Sequence, residues 1–181
     1  AAQPWEGINA LDGIIQVYNS TNALREHLPS DVRIHGVITN GGLAANVVPD
    51  YASARFYLRA LTRTTLNDVY TKFENIVKAS ALATGATYKF GLFQNSVDNM
   101  VNTPLFDEVY QRTLESLGQS ISVGESATVG GSTDVGNISQ VVPTIQPSIS
   151  ISDEPIIGHS IGFKAASISE KGLASIELGA I

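Results

Sequence analysis

Residues 32–60, VRIHGVITNGGLAANVVPDYASARFYLRA, hold two alternating runs separated by a loop with adjacent glycines and a proline. In the first run Val32, Ile34 and Ile38 fall on one side, and Arg33, His35 and Val37 on the other. In the second, Ala52, Ala54, Phe56 and Leu58 oppose Ser53, Arg55, Tyr57 and Arg59. Successive side chains of a strand point to opposite faces, so each run reads as a strand with one apolar face. The intervening NGGLAANVVPD has good turn chemistry.

Helical patterns flank this pair. Upstream, residues 8–28 place Ile8, Leu11, Ile15, Tyr18, Leu24 and Leu28 at mostly helical spacing, with Asn9 or an earlier residue as cap and Pro29 as the stop. Downstream, residues 61–85 form a strong amphipathic pattern along Leu66, Val69, Phe73, Ile76, Val77 and Leu82, with Gly85 as C-terminal cap. ATYKFGLF, residues 86–93, reads as a further strand. The order α-β-β-α-β lacks one leading strand of a β-α-β-β-α-β ferredoxin-like module.

Near residues 97–102 the texture changes. TPLFDEVYQRTLESLG predicts a helix with Thr103 as cap and Pro104 at its first position. GESATVGGSTDVGNIS is a Gly/Ser/Thr-rich loop running into a short helix, and VVPTIQPSISI reads as a short buried strand. The loop PIIGHSIGFK and a final helix close the chain. The start at AAQPWEG, without Met, and the stop inside a helical pattern both suggest part of a longer protein. The expected organisation is residues 1–96 as one domain and 97–181 as the closing portion of an α/β domain.

The totals narrow the function. With 181 residues, 43 % hydrophobic, the chain suits one medium domain or two small ones. Only 15 % of residues are charged and the net charge is −6, with no Lys/Arg cluster, which argues against nucleic acid as a partner. No apolar run approaches the roughly 18–20 residues of a spanning helix, so no membrane partner is expected. The absence of cysteine excludes disulfides, thiolate zinc sites and a cysteine nucleophile, and a cytoplasmic location is only the default.

There are three histidines. His27 sits in the last turn of a helix, where it complements the dipole. His35 shares a strand face with Arg33 and is expected near Arg55, Tyr57 and Arg59; it is either a surface residue or part of a site. His159, in its Gly-flanked loop, is the best candidate ligand, but there is no His-Glu-x-x-His and no calcium-type loop. Catalytic zinc takes three protein ligands, so local chemistry predicts an incomplete metal site. GGSTDVG could bind an anion through its backbone N–H groups, or could simply start a helix with Ser132, Thr133 or Asp134 as cap. Neither a phosphate-binding lysine loop nor a serine-hydrolase elbow is present.

Taken in order, AAQPWEGINALDG, IHGVITNGGLAANVVPD with ARFYLRA, GGSTDVGNISQVVP and GHSIGFKAAS resemble one family across essentially the whole chain. It is the zinc metallopeptidase family of aminoacylase, carboxypeptidase G and the aminobenzoyl-glutamate and indole-acetyl-amino-acid amidohydrolases. The nearest branch is that of aminobenzoyl-glutamate hydrolase and the β-alanyl-lysine-type dipeptidases. The resemblance implies an α+β ferredoxin-like lid that makes a homodimer, inserted into an α/β catalytic domain carrying two zinc ions. It implies hydrolysis of N-acyl amino acids, aminobenzoyl-glutamate-like compounds or dipeptides.

Carried over by position, His159 matches the last metal ligand. Asn46 matches a lid asparagine that contacts substrate, and Arg59 the lid arginine that binds a substrate carboxylate, often across the dimer. Gly131, Ser132 and Thr133 match the loop lining the substrate pocket, with Asp134 beside it. His35 matches a position that is histidine in the nearest branch but not throughout the family. The general base, the other ligands and the oxyanion histidine would lie upstream, leaving residues 1–181 inactive alone. A non-catalytic ferredoxin-like dimerisation or small-molecule-binding module is the rival reading.

Overall fold

The computed structural model describes residues 2–119 and 131–180. They form two compact units, residues 1–143 and 144–181. The expected boundary near residue 97 lies inside the first unit.

In the first unit a short 3-10 turn at Pro4–Glu6 precedes helix α1 (Ala10–Arg25). Strands β1 (Arg33–Asn40) and β2 (Ser53–Arg59) follow, then helix α2 (Arg63–Thr84). The strands pair antiparallel with Ile34 opposite Leu58 and Gly36 opposite Phe56, and the register shifts between Ile38 and Asn40. Both helices cover the apolar face of this two-stranded sheet, which gives an α+β arrangement. The Asn9 side chain caps α1 by accepting from the Leu11 and Asp12 N–H groups at 3.0 and 3.3 Å. Thr62 caps α2 by accepting from the Thr65 N–H, and Gly85, at φ 74°, ends it in the left-handed conformation.

The core lies between α1, α2 and the sheet: Val17, Val32, Ile34, Val69 and Phe73 are buried, and Leu28, Phe56, Leu58, Ile76, Val77 and Phe90 pack against them. A row of rings runs through it. Phe56 lies 4.8 Å from Tyr18 and 4.9 Å from Phe73, and Phe90 lies 6.1 Å from Phe73 and 5.4 Å from Tyr70. Burial holds the Tyr18 phenol above its usual ionisation range.

Several expectations are corrected. The buried stripe of α1 is Gly13, Val17 and Thr21, whereas Ile8 and Ile15 are exposed. Small residues let α1 approach α2, as at Gly13, where a Cβ would meet the Thr84 hydroxyl at 3.4 Å. Large apolar residues misled the periodicity here. On α2, Leu82 is 85 % exposed, while its neighbours Ser80 and Ala81 are buried. Residues 86–93 form no strand, although Phe90 still fills the core. In a split β-α-β arrangement this last segment would pair with the leading strand, and among the described residues β1 and β2 pair only with each other.

Beyond α2, helix α3 spans Pro104–Ser116 with Thr103 at the cap position, and α4 spans Val135–Ser139. The glycine-rich loop lies largely outside the described residues, which resume at Gly131. Residues 141–151 are not a strand: Pro143 and Pro147 each remove a ladder donor. In the second unit the expected final helix is divided into α5 (Ile161–Ser167) and α6 (Glu170–Ala180). Ser169 makes the break by accepting the Gly172 N–H at 3.1 Å, which caps the new helix.

The Thr21 hydroxyl is buried without a hydrogen-bond partner among the described residues. Thr21→Val keeps the shape and removes the desolvated hydroxyl, so thermal unfolding should show a gain of about 1 kcal/mol. A lower melting temperature would show that the hydroxyl is satisfied.

Candidate functional site

The sheet's outer face collects most of the polar residues singled out in residues 1–96. Register places Arg33 opposite Arg59, His35 opposite Tyr57 and Val37 opposite Arg55, and all six side chains are exposed. His35 and Arg59 are therefore diagonal neighbours on one surface. The Arg59 guanidinium stands 5.8 Å above the Tyr57 ring and Arg55 5.6 Å above Phe93. Tyr57 is fixed in turn by Phe93, edge-on at 5.2 Å, and by its hydroxyl donating to Gln94 Oε1 at 3.1 Å. Stacking spreads each guanidinium over a ring while leaving its N–H fork available to an anion.

Asn46 is elsewhere. It lies in the loop joining β1 to β2, where residues 41–49 make a shallow hollow with Pro4, Asn9 and Leu11. Arg59 closes the opposite end of β2, so the strand length alone separates it from the loop by roughly 20 Å. Gly131, Ser132 and Thr133 form the approach to α4. Thr133 Oγ1 accepts the Val135 N–H at 3.3 Å and its carbonyl accepts the Gly136 N–H at 3.1 Å. The helix-starting reading of GGSTD thus describes the local bonding, with Thr133 rather than Asp134 supplying the side chain.

His159 lies in the second unit. Its φ is 60°, and among the described residues it is the sole non-glycine with positive φ. It is exposed, follows Gly158 and precedes Ser160, whose hydroxyl caps α5 by accepting from the Phe163 N–H at 3.1 Å. The turn projects the imidazole at the mouth of a shallow hollow lined by Gly158, Ser160, Ile161, Phe163 and Lys164. Holding a histidine in the left-handed region costs about 1–3 kcal/mol, which a packing role does not explain for an exposed side chain. Among the described residues no three His, Asp or Glu side chains converge. His159 thus offers one imidazole where a catalytic zinc takes three protein ligands.

Sequence reading anticipated the outer-face arginines but missed the stacking of Phe93 and the bonds of Arg63 and Asp98. Both connect residues more than 30 positions apart, and no local pattern marks them.

Residues 1–84 match the family model of a peptidase dimerisation domain. The chain is 35 % identical to the Xaa-Arg dipeptidase of Mus musculus over 158 residues, 86 % of this chain and 37 % of that protein. It is 32 % identical to the Xaa-Arg dipeptidase of Homo sapiens over 173 residues, 94 % of this chain and 39 % of that one. It is 31 % identical to a p-aminobenzoyl-glutamate hydrolase chain of Escherichia coli (strain K12) over 112 residues, 61 % of this chain and 23 % of that protein. The chain therefore spans less than half the length of the curated relatives it matches.

Glycine adopts φ 60° without strain. His159→Gly should therefore raise the melting temperature of the metal-free protein, by about 1 kcal/mol of stability. A fall would show that the imidazole packs against something.

Proposed function

We propose that the chain belongs to the peptidase and amidohydrolase family of these relatives and supplies the lid and C-terminal segment of a zinc-dependent enzyme cleaving amide bonds. The substrates in this reading are N-acyl amino acids, aminobenzoyl-glutamate-like compounds or dipeptides. The observation that carries it is the extent of the likeness: it runs over 158 and 173 residues, well beyond the dimerisation domain at 1–84. A dimerisation module alone would not need the residues that follow, including GHS at 158–160.

In this reading the whole enzyme would hold two zinc ions, and the chemistry they would supply is Lewis-acid activation of a carbonyl and of water. His159 serves as one ligand, presented by a turn that fixes its direction. The other ligands and the general base come from residues other than these 181, and the chain alone does not turn over. Arg59 takes the substrate carboxylate through its fork, with His35 and Tyr57 beside it. Gly131, Ser132 and Thr133 line the pocket.

Asn46 and Arg59 stand too far apart, roughly 20 Å along the hairpin, to hold one dipeptide of about 7 Å. Within a homodimer formed by the lid they serve different sites, each completed by the partner subunit.

In the full-length enzyme His159→Gly should lower zinc content by about one ion per subunit and abolish most turnover. Full zinc and full rate would remove His159 from the ligand set. Arg59→Ala should reduce kcat/KM about ten- to hundred-fold for substrates with a free carboxylate, the range of a lost charged hydrogen bond. Equal losses on the corresponding amides would end the carboxylate assignment.

A further inference from the structure

Arg63 opens α2, and four of its bonds reach four successive residues of a segment more than 30 positions away. Its guanidinium donates to the Asp98 carboxylate, to Ser96 Oγ at 2.7 Å and to the Val97 carbonyl at 2.7 Å. Its backbone N–H donates to Asn99 Oδ1 at 3.1 Å. Arg63 and Asp98 are each about a third exposed, with side-chain exposures of 31 % and 30 %.

The segment also bonds to α4. Asn137 accepts the Asp98 N–H through Oδ1 at 2.5 Å and donates to the Ser96 carbonyl through Nδ2 at 3.3 Å. Ser139 Oγ accepts the Val101 N–H at 2.9 Å, and Gln140 donates to the Asn99 carbonyl at 2.6 Å. The fit is close: a Cβ on Gly136 would collide with the Asp98 carbonyl. Apolar packing contributes little here, because Val101, Ile138, Val141 and Val142 are all exposed. A bonded chain therefore runs from the start of α2 through residues 96–101 to α4, which joins directly to Gly131, Ser132 and Thr133.

We propose that Arg63 is a positioning residue that ties residues 131–134 to the lid helix, so that the substrate loop keeps its place relative to α2. As a statement about substrate it rests on the functional reading above; as a statement about the clasp it rests on the bonds alone. Arg63 touches no substrate. A guanidinium is needed because a lysine could keep the Asp98 pair but could not also reach Ser96 and Val97 with a planar fork.

The test is hydrogen exchange and steady-state kinetics on the full-length enzyme carrying Arg63→Ala, Arg63→Lys or Asn137→Ala. Arg63→Ala should speed amide exchange at residues 135–142 about tenfold or more, with exchange in β1 and β2 unchanged. KM should rise several-fold while zinc content stays constant and kcat falls less, and Arg63→Lys should recover part of both effects. Asn137→Ala, which breaks the chain from the α4 side, should loosen residues 96–101 in the same way and covers the case in which Arg63→Ala does not fold. Wild-type exchange at 135–142 in folded Arg63→Ala, or a rise spread evenly through the sheet, overturns the proposal. If the wild-type enzyme hydrolyses none of the proposed substrates, the functional reading fails while the exchange result still decides the clasp.

Discussion

Phe56 seated over Gly36 is the contact on which the packing of α1 and α2 on the sheet depends. The ring occupies the space that any Cβ at position 36 would need. From there it reaches Tyr18 of α1 and Phe73 of α2 together, so one side chain joins sheet and both helices. A glycine inside a strand weakens it, and here the ring covering it compensates. The alternation on β2 follows: with Phe56 turned inward, Arg55, Tyr57 and Arg59 must face outward. The fold and the polar surface are thus set by the same register.

That surface carries a cost. Arg33 and Arg59 are direct cross-strand partners, and like charges in that position destabilise a sheet. Stacking on Tyr57 and Phe93 offsets part of it for Arg59 and Arg55. Arg33 is held differently, by donating to the Ser30 and Val32 carbonyls. In a chain of net charge −6, this concentration of cations is a local field rather than a reflection of overall composition.

The elements legible from sequence were those whose signals are local. Alternation located β1 and β2, Asn9 announced α1, and Gly85 marked the end of α2. Residues 86–93 failed because a strand is defined by its partner, which alternation cannot supply. The α1 stripe failed because Gly13 and Thr21 are buried for their smallness, a property that hydrophobicity does not score. For the site, spacing isolated His159 as a candidate, and resemblance rather than spacing assigned roles to Asn46 and Arg59. Positive φ at position 159 has no sequence signature in a histidine. The Arg63 bonds were invisible for another reason: they join segments that only folding brings together.

The turn at His159 also bears on how related chains can be read. Backbone strain there favours glycine whenever the side chain has no task, since φ 60° is free for glycine and costly for histidine. Drift under selection for folding alone would therefore erase the imidazole faster than it would erase a core residue. Position 159 becomes a marker: a relative with glycine at this turn has relaxed it, and one with histidine still bears the strain.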